Sequence, residues 1–546
     1  MRRLRTTIAV FGAAFRNASL LRLELAWASF NGAEWGVWLA LMVWAYTHGG
    51  AAATSVIVLV QLVPCIVLSP FLGAVTDRRR AGRVLFWSYL VMAVSMGGLA
   101  AAVALGAPRL VIFALSPIVN LAISAPRPAQ SALLPGVVRS PIELTAANVV
   151  SSWMENGSVL IAPALTGLLL GIGGPALAMG ALAVISFIGA LLVLPIPGPP
   201  PLATAEERTS RFADVRQGIR AVSRVPSVRV LIGVLGSQYI LVGALDVLYV
   251  VLAISVLGMG ESGSGYLNSA FGAGGMIGAA VTALLVARRH LAPALLSGIV
   301  TAALALGLLG LYPSVAGAFV LLGVAGLSRT VLDVTGRILL QRATPPGILA
   351  QVFSLLESLM DTGLAFGAIL VPVLVGISGA RAALLGVGAV FLLILVISWR
   401  RLWRIDAAAD VPQVEIQLLQ SIPIFAPLPA PELEGLARAL VPVEVKAGEV
   451  VMRQGGEGDR FYAIADGEVA VSKDGQQVAT LTRHDGFGEI ALIEDVPRTA
   501  TVTAVKDGLL YSLEREPFVL AVTGHAPAAR AASDLVTQRL AELDAV

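Results

Sequence analysis

Glu34 sits midway along an apolar stretch, and Asp246 lies at matching depth in another about 212 residues later. Burying a charge in a bilayer costs about 3 kcal/mol on an insertion scale, so such residues ask for a reason. Two carboxylates at related positions facing a central cavity could take up protons or bind a cationic substrate. Glu155, Asp333, Arg127, Arg337, Glu357 and Asp361 lie in further apolar stretches. Asp333 and Arg337 are one helical turn apart on one face, where they would neutralise each other. A second set of functional types falls near the end of the chain, where Gly488, Glu489 and Arg498 lie within sixteen residues, 486–501. The four histidines (His48, His290, His484, His525) are scattered, with no nucleophile–base pairing and no phosphate loop of the NTPase kind. No catalytic residue is expected. The single cysteine, Cys65, permits neither an internal disulfide nor a cysteine-built metal site.

The elements that must hold these charges are legible in the composition. Of 546 residues, 57% are apolar and 13% charged, which excludes an ordinary soluble protein of this size. A net charge of +3 gives no argument for nucleic acid as a partner. Apolar segments that can each supply the ~20 residues of a bilayer crossing recur at 21–47, 53–75, 84–105, 109–134, 143–170 and 174–196. A second set lies at 227–257, 264–287, 291–311, 314–340, 349–375 and 379–399. Arginines crowd one side of these spans, in the N-terminus, at 78–83, 208–229 and 288–289, and at 400–404. The loops on the other side are nearly free of Lys and Arg, so both termini are expected in the cytoplasm. Residues 195–229 form a Pro-rich, charged break between two six-span halves. The halves resemble each other. Ala147-Asn148-Val149-Val150-Ser151 aligns with Ala350-Gln351-Val352-Phe353-Ser354, and Gly171-Ile172-Gly173-Gly174 with Gly376-Ile377-Ser378-Gly379. A parallel repeat of about 205 residues is the signature of a two-half secondary transporter.

Between the second and third spans stands Gly73-Ala74-Val75-Thr76-Asp77-Arg78-Arg79-Arg80-Ala81-Gly82-Arg83. It resembles the loop motif of the major facilitator superfamily, with Gly73, Asp77 and Arg78 at the matching positions and Gly82 two places late. Span five carries Gly157, Ala162, Pro163 and Gly167, resembling the motif of exporters in that superfamily, with Ala162 in place of glycine. The pattern is similar to the branch that includes enterobactin and macrolide exporters. The resemblance implies export of a drug- or siderophore-like small molecule, driven by proton exchange across the plasma membrane.

After Arg404 the composition turns soluble. Helices are expected over 413–440, then short strands at 441–445, 450–452, 460–464, 468–472 and 478–481, punctuated by glycines at 448, 455, 458, 467 and 475. Gly486-Phe487-Gly488-Glu489-Ile490-Ala491 with Pro497-Arg498-Thr499 resembles the phosphate-binding cassette of cyclic-nucleotide domains, as in protein kinase A regulatory subunits and catabolite activator proteins. The resemblance implies that Glu489 accepts the ribose 2′-hydroxyl and that Arg498 pairs with the cyclic phosphate. It also implies a cradle completed by the backbones of Gly488, Ile490, Ala491 and Thr499, with cAMP favoured over cGMP as the regulatory ligand.

The expected fold is therefore an all-α polytopic membrane protein of twelve helices in two halves, followed by a cytoplasmic α+β domain with a β jelly-roll barrel and flanking helices. The expected parts are a cytoplasmic N-terminus (1–20), the two halves (21–196 and 227–399), linkers (197–226 and 400–412) and a cyclic-nucleotide-binding domain (413–546). The partners are lipid, protons, a small-molecule cargo and the nucleotide, with no metal or other cofactor. A membrane-anchored nucleotide receptor with a non-transporting helical part is the competing reading. Cargo, coupling ion and oligomeric state have no signature in the chain.

Overall fold

The computed structural model describes residues 17–77, 79–138, 141–196, 219–220, 222–223, 225–285, 290–345, 348–408 and 412–544. The basic N-terminus, Arg78, Arg288, Arg289 and most of the linker at 197–226 lie outside the described residues. The chain divides into two compact units, one covering 17–137 and 150–409, the other built chiefly from 410–546.

The first unit is all helix: α1 (Ala18–Asp77), α2 (Ala81–Ala104), α3 (Arg109–Ile123), α4 (Pro126–Val137), α5 (Pro141–Val193), α6 (Pro226–Val251, continued by a π-helical turn over Leu252–Val256), α7 (Gly260–Leu285), α8 (Ala292–Leu311), α9 (Val315–Ala343) and α10 (Leu349–Ala408). Among the described residues, eight helical stretches are long and apolar enough to cross a bilayer. Three of them run 48, 47 and 58 residues, far beyond one crossing. Each is broken by glycine: Gly49-Gly50 in α1, Gly173-Gly174 in α5 and Gly379 in α10. Gly50, Gly174 and Gly379 adopt φ of +64°, +68° and +79°, a left-handed backbone that glycine reaches without a Cβ penalty. The breaks fall where the hydropathy pattern ends one span and begins the next. Gly174 and Gly379 are also partners in the sequence repeat, so the two halves turn at the same point.

α7, read as a span from the sequence, is not among the eight apolar stretches. Its Gly- and Ser-rich composition lowers its hydropathy and serves close packing instead. A Cβ on Gly274 would lie 1.8 Å from the carbonyl oxygen of Gly323 in α9. Small residues that admit a neighbouring backbone this way are a normal basis for helix association in lipid.

The second unit opens with α11 (Gln413–Ser421) and α12 (Ala430–Ala439). The strands β1 (Val441–Val445), β2 (Val450–Met452), β3 (Arg460–Asp466), β4 (Glu468–Lys473), β5 (Gln476–Thr482) and β6 (Gly486–Phe487) follow. Next come the short helix α13 (Glu489–Ile493), β7 (Thr501–Ala504), β8 (Gly508–Glu514), α14 (Arg515–Gly524) and α15 (Ala526–Asp544). Two four-stranded antiparallel sheets, ordered β1-β8-β3-β6 and β2-β7-β4-β5, enclose Ile464, Val469, Phe487, Val502 and Leu510. A second core, where Phe425, Phe461 and Phe518 pack ring against ring, joins the helices to the barrel.

The sequence pattern supplies five of these strands; β6, β7 and β8 were not distinguished. β6 is two residues long and is defined by its partner, with Tyr462 opposite Phe487, so it has no alternation of its own. β7 is only four residues long and lies between β2 and β4, placed there by pairings up to 53 positions away. β8 lies between β1 and β3, and its place depends on pairings up to 71 positions away.

Candidate functional site

β6 delivers the chain to Gly488, and α13 starts immediately after it. Gly488 has φ +93° and ψ 1°. This left-handed turn lets its carbonyl point back to Arg498, while the first N–H groups of α13 lack intrahelical acceptors. Ile490 and Ala491 are buried in that first turn.

Arg498 is 4% exposed and held from all sides. Its Nε donates to Glu457 O (3.2 Å), Nη1 to Gly488 O (3.1 Å), and Nη2 to Arg460 O (2.7 Å) and Asp459 Oδ1 (3.2 Å). Among the described residues, four of its five N–H groups are thereby engaged, leaving one on Nη1. Asp459 is 63% exposed, so its hold on the guanidinium is open to exchange for another oxyanion. The Thr499 hydroxyl, half-buried beside Arg498, makes no hydrogen bond among the described residues.

Glu489 is 1% exposed. Its Oε1 accepts from Arg539 Nη1 at 2.8 Å, and the same nitrogen donates to Gly486 O at 2.7 Å. Oε2 is buried and has no partner among the described residues. An unsatisfied buried carboxylate oxygen is costly, and a hydroxyl donor is the natural relief. Arg539 belongs to α15, whose Val536 and Leu540 pack on the same patch as Ile490 and Ile493 of α13. The spacing of 536, 539 and 540 places all three on one helix face. α15 therefore covers the cassette and is pinned to it by a buried ion pair. Nearby, Tyr462 stacks on Phe487 at 5.2 Å, and burial beside the Asp459 carboxylate pushes its phenol up.

In the helical unit the sequence-flagged charges gather into separate clusters. Arg127, at the start of α4, donates to Glu34 of α1 (2.8 Å) and to Glu155 of α5 (2.5 Å), and its guanidinium lies 5.7 Å from the ring centres of Trp27 and Phe30. Arg337, in α9, donates to both oxygens of Asp333 (3.2 Å each), to Glu357 of α10 (2.9 Å) and to the Tyr239 hydroxyl of α6 (2.6 Å). Gln238 donates to Asp333 at 2.5 Å. The clusters correspond across the repeat, with Arg337, Glu357 and Tyr239 each about 205 residues after Arg127, Glu155 and Glu34. Asp246 does not meet Glu34. It accepts from the indole of Trp38 at 3.2 Å and is 9% exposed.

That bond joins the two halves, as do the pair Tyr46–Ser255 (2.5 Å) and the bond from Ser55 to Ala368 O. Gly73 and Asp77 fall in the last turns of α1; their surroundings, and Arg78, lie outside the described residues. Among the described residues no group of three or more His, Cys, Asp or Glu side chains is placed to hold a metal.

Sequence reasoning did not flag Asp459, Arg539 or Arg329. Asp459 and Arg539 sit 39 and 50 positions from the residues they bind, and neither spacing has a local signature. The third is an arginine inside the same apolar helix as Arg337, and the signal that picked out Arg337 applies to it equally.

Residues 442–522 match the family model "Cyclic nucleotide-binding domain", and residues 25–328 match "Major Facilitator Superfamily". Neither is an enzymatic family. The tail is similar to a cAMP-dependent protein kinase regulatory subunit of Schizosaccharomyces pombe (47% identity over 88 residues, 16% of this chain and 21% of that protein). It is also similar to a cGMP-dependent protein kinase of Toxoplasma gondii (37% over 102 residues, 18% and 10%). The chain thus spans only a small part of these relatives' length. Among solved structures it resembles the regulatory domain of Toxoplasma gondii PKA crystallised with cAMP, at 29% identity over 23% of this chain and 47% of that one, with a TM-score of 0.20. With more than half its length matched by that model, and a cyclic nucleotide-binding domain behind it, the chain belongs to the Major Facilitator Superfamily.

Proposed function

We propose that this chain is a twelve-span plasma-membrane transporter with both termini cytoplasmic, exporting a small molecule against proton flow, and that a cyclic nucleotide bound at Glu489 and Arg498 modulates it. The observation that carries the regulatory half is the buried, partnerless Oε2 of Glu489 beside a fixed guanidinium. Oε2 suits a ribose hydroxyl, and the remaining Nη1 hydrogen of Arg498, with the first N–H groups of α13, suits a phosphate. Arg539 keeps Oε1, so ribose and α15 share one carboxylate without displacing each other. Filling the cassette then stiffens α15 over it. The regulatory ligand favoured is cAMP, in line with the kinase regulatory subunits that the tail resembles.

For the transport half, Glu34, Glu155, Asp246 and Asp333 are the carboxylates through which protons would pass. Arg127 releases Glu34 or Glu155, and Arg337 releases Glu357, only if the carboxylate gains a proton or the helices move apart. Asp333, on the same helix as Arg337, is released by protonation. Bonds that join the halves at Trp38–Asp246 and Tyr46–Ser255 would open in the alternate state. The experiment is calorimetric titration of the purified full chain with cAMP and cGMP, alongside flux of a panel of efflux dyes in proteoliposomes under an imposed pH gradient. Failure of both nucleotides to bind removes the regulatory half. Flux absent under every gradient favours the receptor reading.

A further inference from the structure

Arg329 stands at the midpoint of α9, about 21 Å by helical rise from either end. With Asp333 and Arg337 it recurs at every fourth residue, so the three share the face of α9 that meets Gln238 and Tyr239 of α6. One turn along that face the charges close on themselves: Arg337 takes Asp333, Glu357 and Tyr239, and Gln238 fills Asp333 further. Arg329 is left out. It makes no hydrogen bond or ion pair among the described residues, and its Nε is buried without a partner. Its electrostatic neighbours are Asp246, Tyr239 and Tyr249, yet Asp246 is held by Trp38 instead. Arg329 as a whole is half-buried, and only Nε is shut away without a partner, so its outer N–H groups are open to an incoming acceptor and the buried Nε gains from one.

We propose that Arg329 anchors an oxyanion (carboxylate, sulfonate or phosphate) on the transported molecule, with Trp38 and Asp246 shaping the neighbouring part of the site. The inference rests on the transporter reading above and adds the chemical class of the cargo. The rest of the polar interior argues for a single anchoring point. Glu34, Glu155, Asp246, Asp333 and Glu357 outnumber Arg127, Arg329 and Arg337, so a bare anion is repelled elsewhere. Asp246, close to Arg329, selects cargo that carries a hydrogen-bond donor or positive group beside its oxyanion.

The test uses the full-length protein in detergent and matched probe pairs that differ in one charged group: dansylglycine against dansylglycinamide, and naphthalenesulfonate against naphthalenesulfonamide. In at least one pair the anion is expected to bind about tenfold tighter than its neutral twin. Arg329→Gln should erase that preference, Arg329→Lys should keep part of it, and Asp246→Asn should widen it. A guanidinium serving only to steady α9 would lower the melting temperature of Arg329→Gln without changing the ratio of affinities. No preference in any pair, or a preference that survives Arg329→Gln, overturns the proposal. An anion preference that depends on Arg329 in a protein that carries no flux would sink the transporter reading and leave the site standing. Flux of cationic dyes that ignores Arg329→Gln, with no anion bound, would do the reverse.

Discussion

A Cβ on Gly488 would lie 2.7 Å from Arg498 Nη1 and 2.9 Å from Arg460 O, on a backbone already left-handed. Gly488→Ala is expected to cost about 2 kcal/mol or more and to displace the guanidinium that the cassette depends on. Thermal unfolding and nucleotide titration of the same variant should both worsen. Glu489→Gln keeps the shape but removes the charge that Arg539 and a ribose hydroxyl share. Nucleotide affinity should fall about 10- to 100-fold, the scale of a hydrogen bond to a charged group. A titration in which Glu489→Gln binds as the parent does would show that Oε2 is not the ribose acceptor. The identities of Glu489 and Arg498 were visible in the sequence because their spacing is local. Their partners were not, because Arg539 and Asp459 arrive from other elements.

At the scale of elements, α15 covers the cassette and is tied to it through Arg539. Arg539→Ala removes its polar pin while leaving Val536 and Leu540 in place. Affinity for the nucleotide should drop about tenfold, near 1.4 kcal/mol, and amide exchange in α15 should become insensitive to ligand. At the far end of α10, the buried Asp406 accepts from the backbone N–H groups of Leu291 (3.0 Å) and Ala292 (3.2 Å), capping α8. Asp406 stands a few residues before the cyclic nucleotide-binding domain in the chain, and it ties the end of α10 to the start of α8. Asp406→Ala should cost about 1–2 kcal/mol by melting temperature, as loss of a helix cap does, and should shrink the nucleotide effect on flux. Long elements of this kind were readable in the chain because apolar length and interrupting glycines are local facts. β6 and β8 were not, since pairing rather than pattern makes them strands. The membrane charges were equally conspicuous, but their pairing was beyond reach: Glu34 finds Arg127 93 positions on, and Asp246 finds Trp38 across 208.

At the scale of the whole molecule, a ligand in the tail can move the helical unit only by the difference in its affinity for two states, commonly worth about 1–3 kcal/mol. Modulation is the expected outcome, not an absolute gate. The most direct measurement is hydrogen exchange over the full-length protein with and without saturating cAMP, since it needs no knowledge of the cargo. Regulation of the helices through the tail predicts slower exchange in α13 and α15 together with a change at the end of α10, at the start of α8 and around the Trp38–Asp246 contact. Protection confined to the cyclic nucleotide-binding domain, with the helices unaltered, would contradict it.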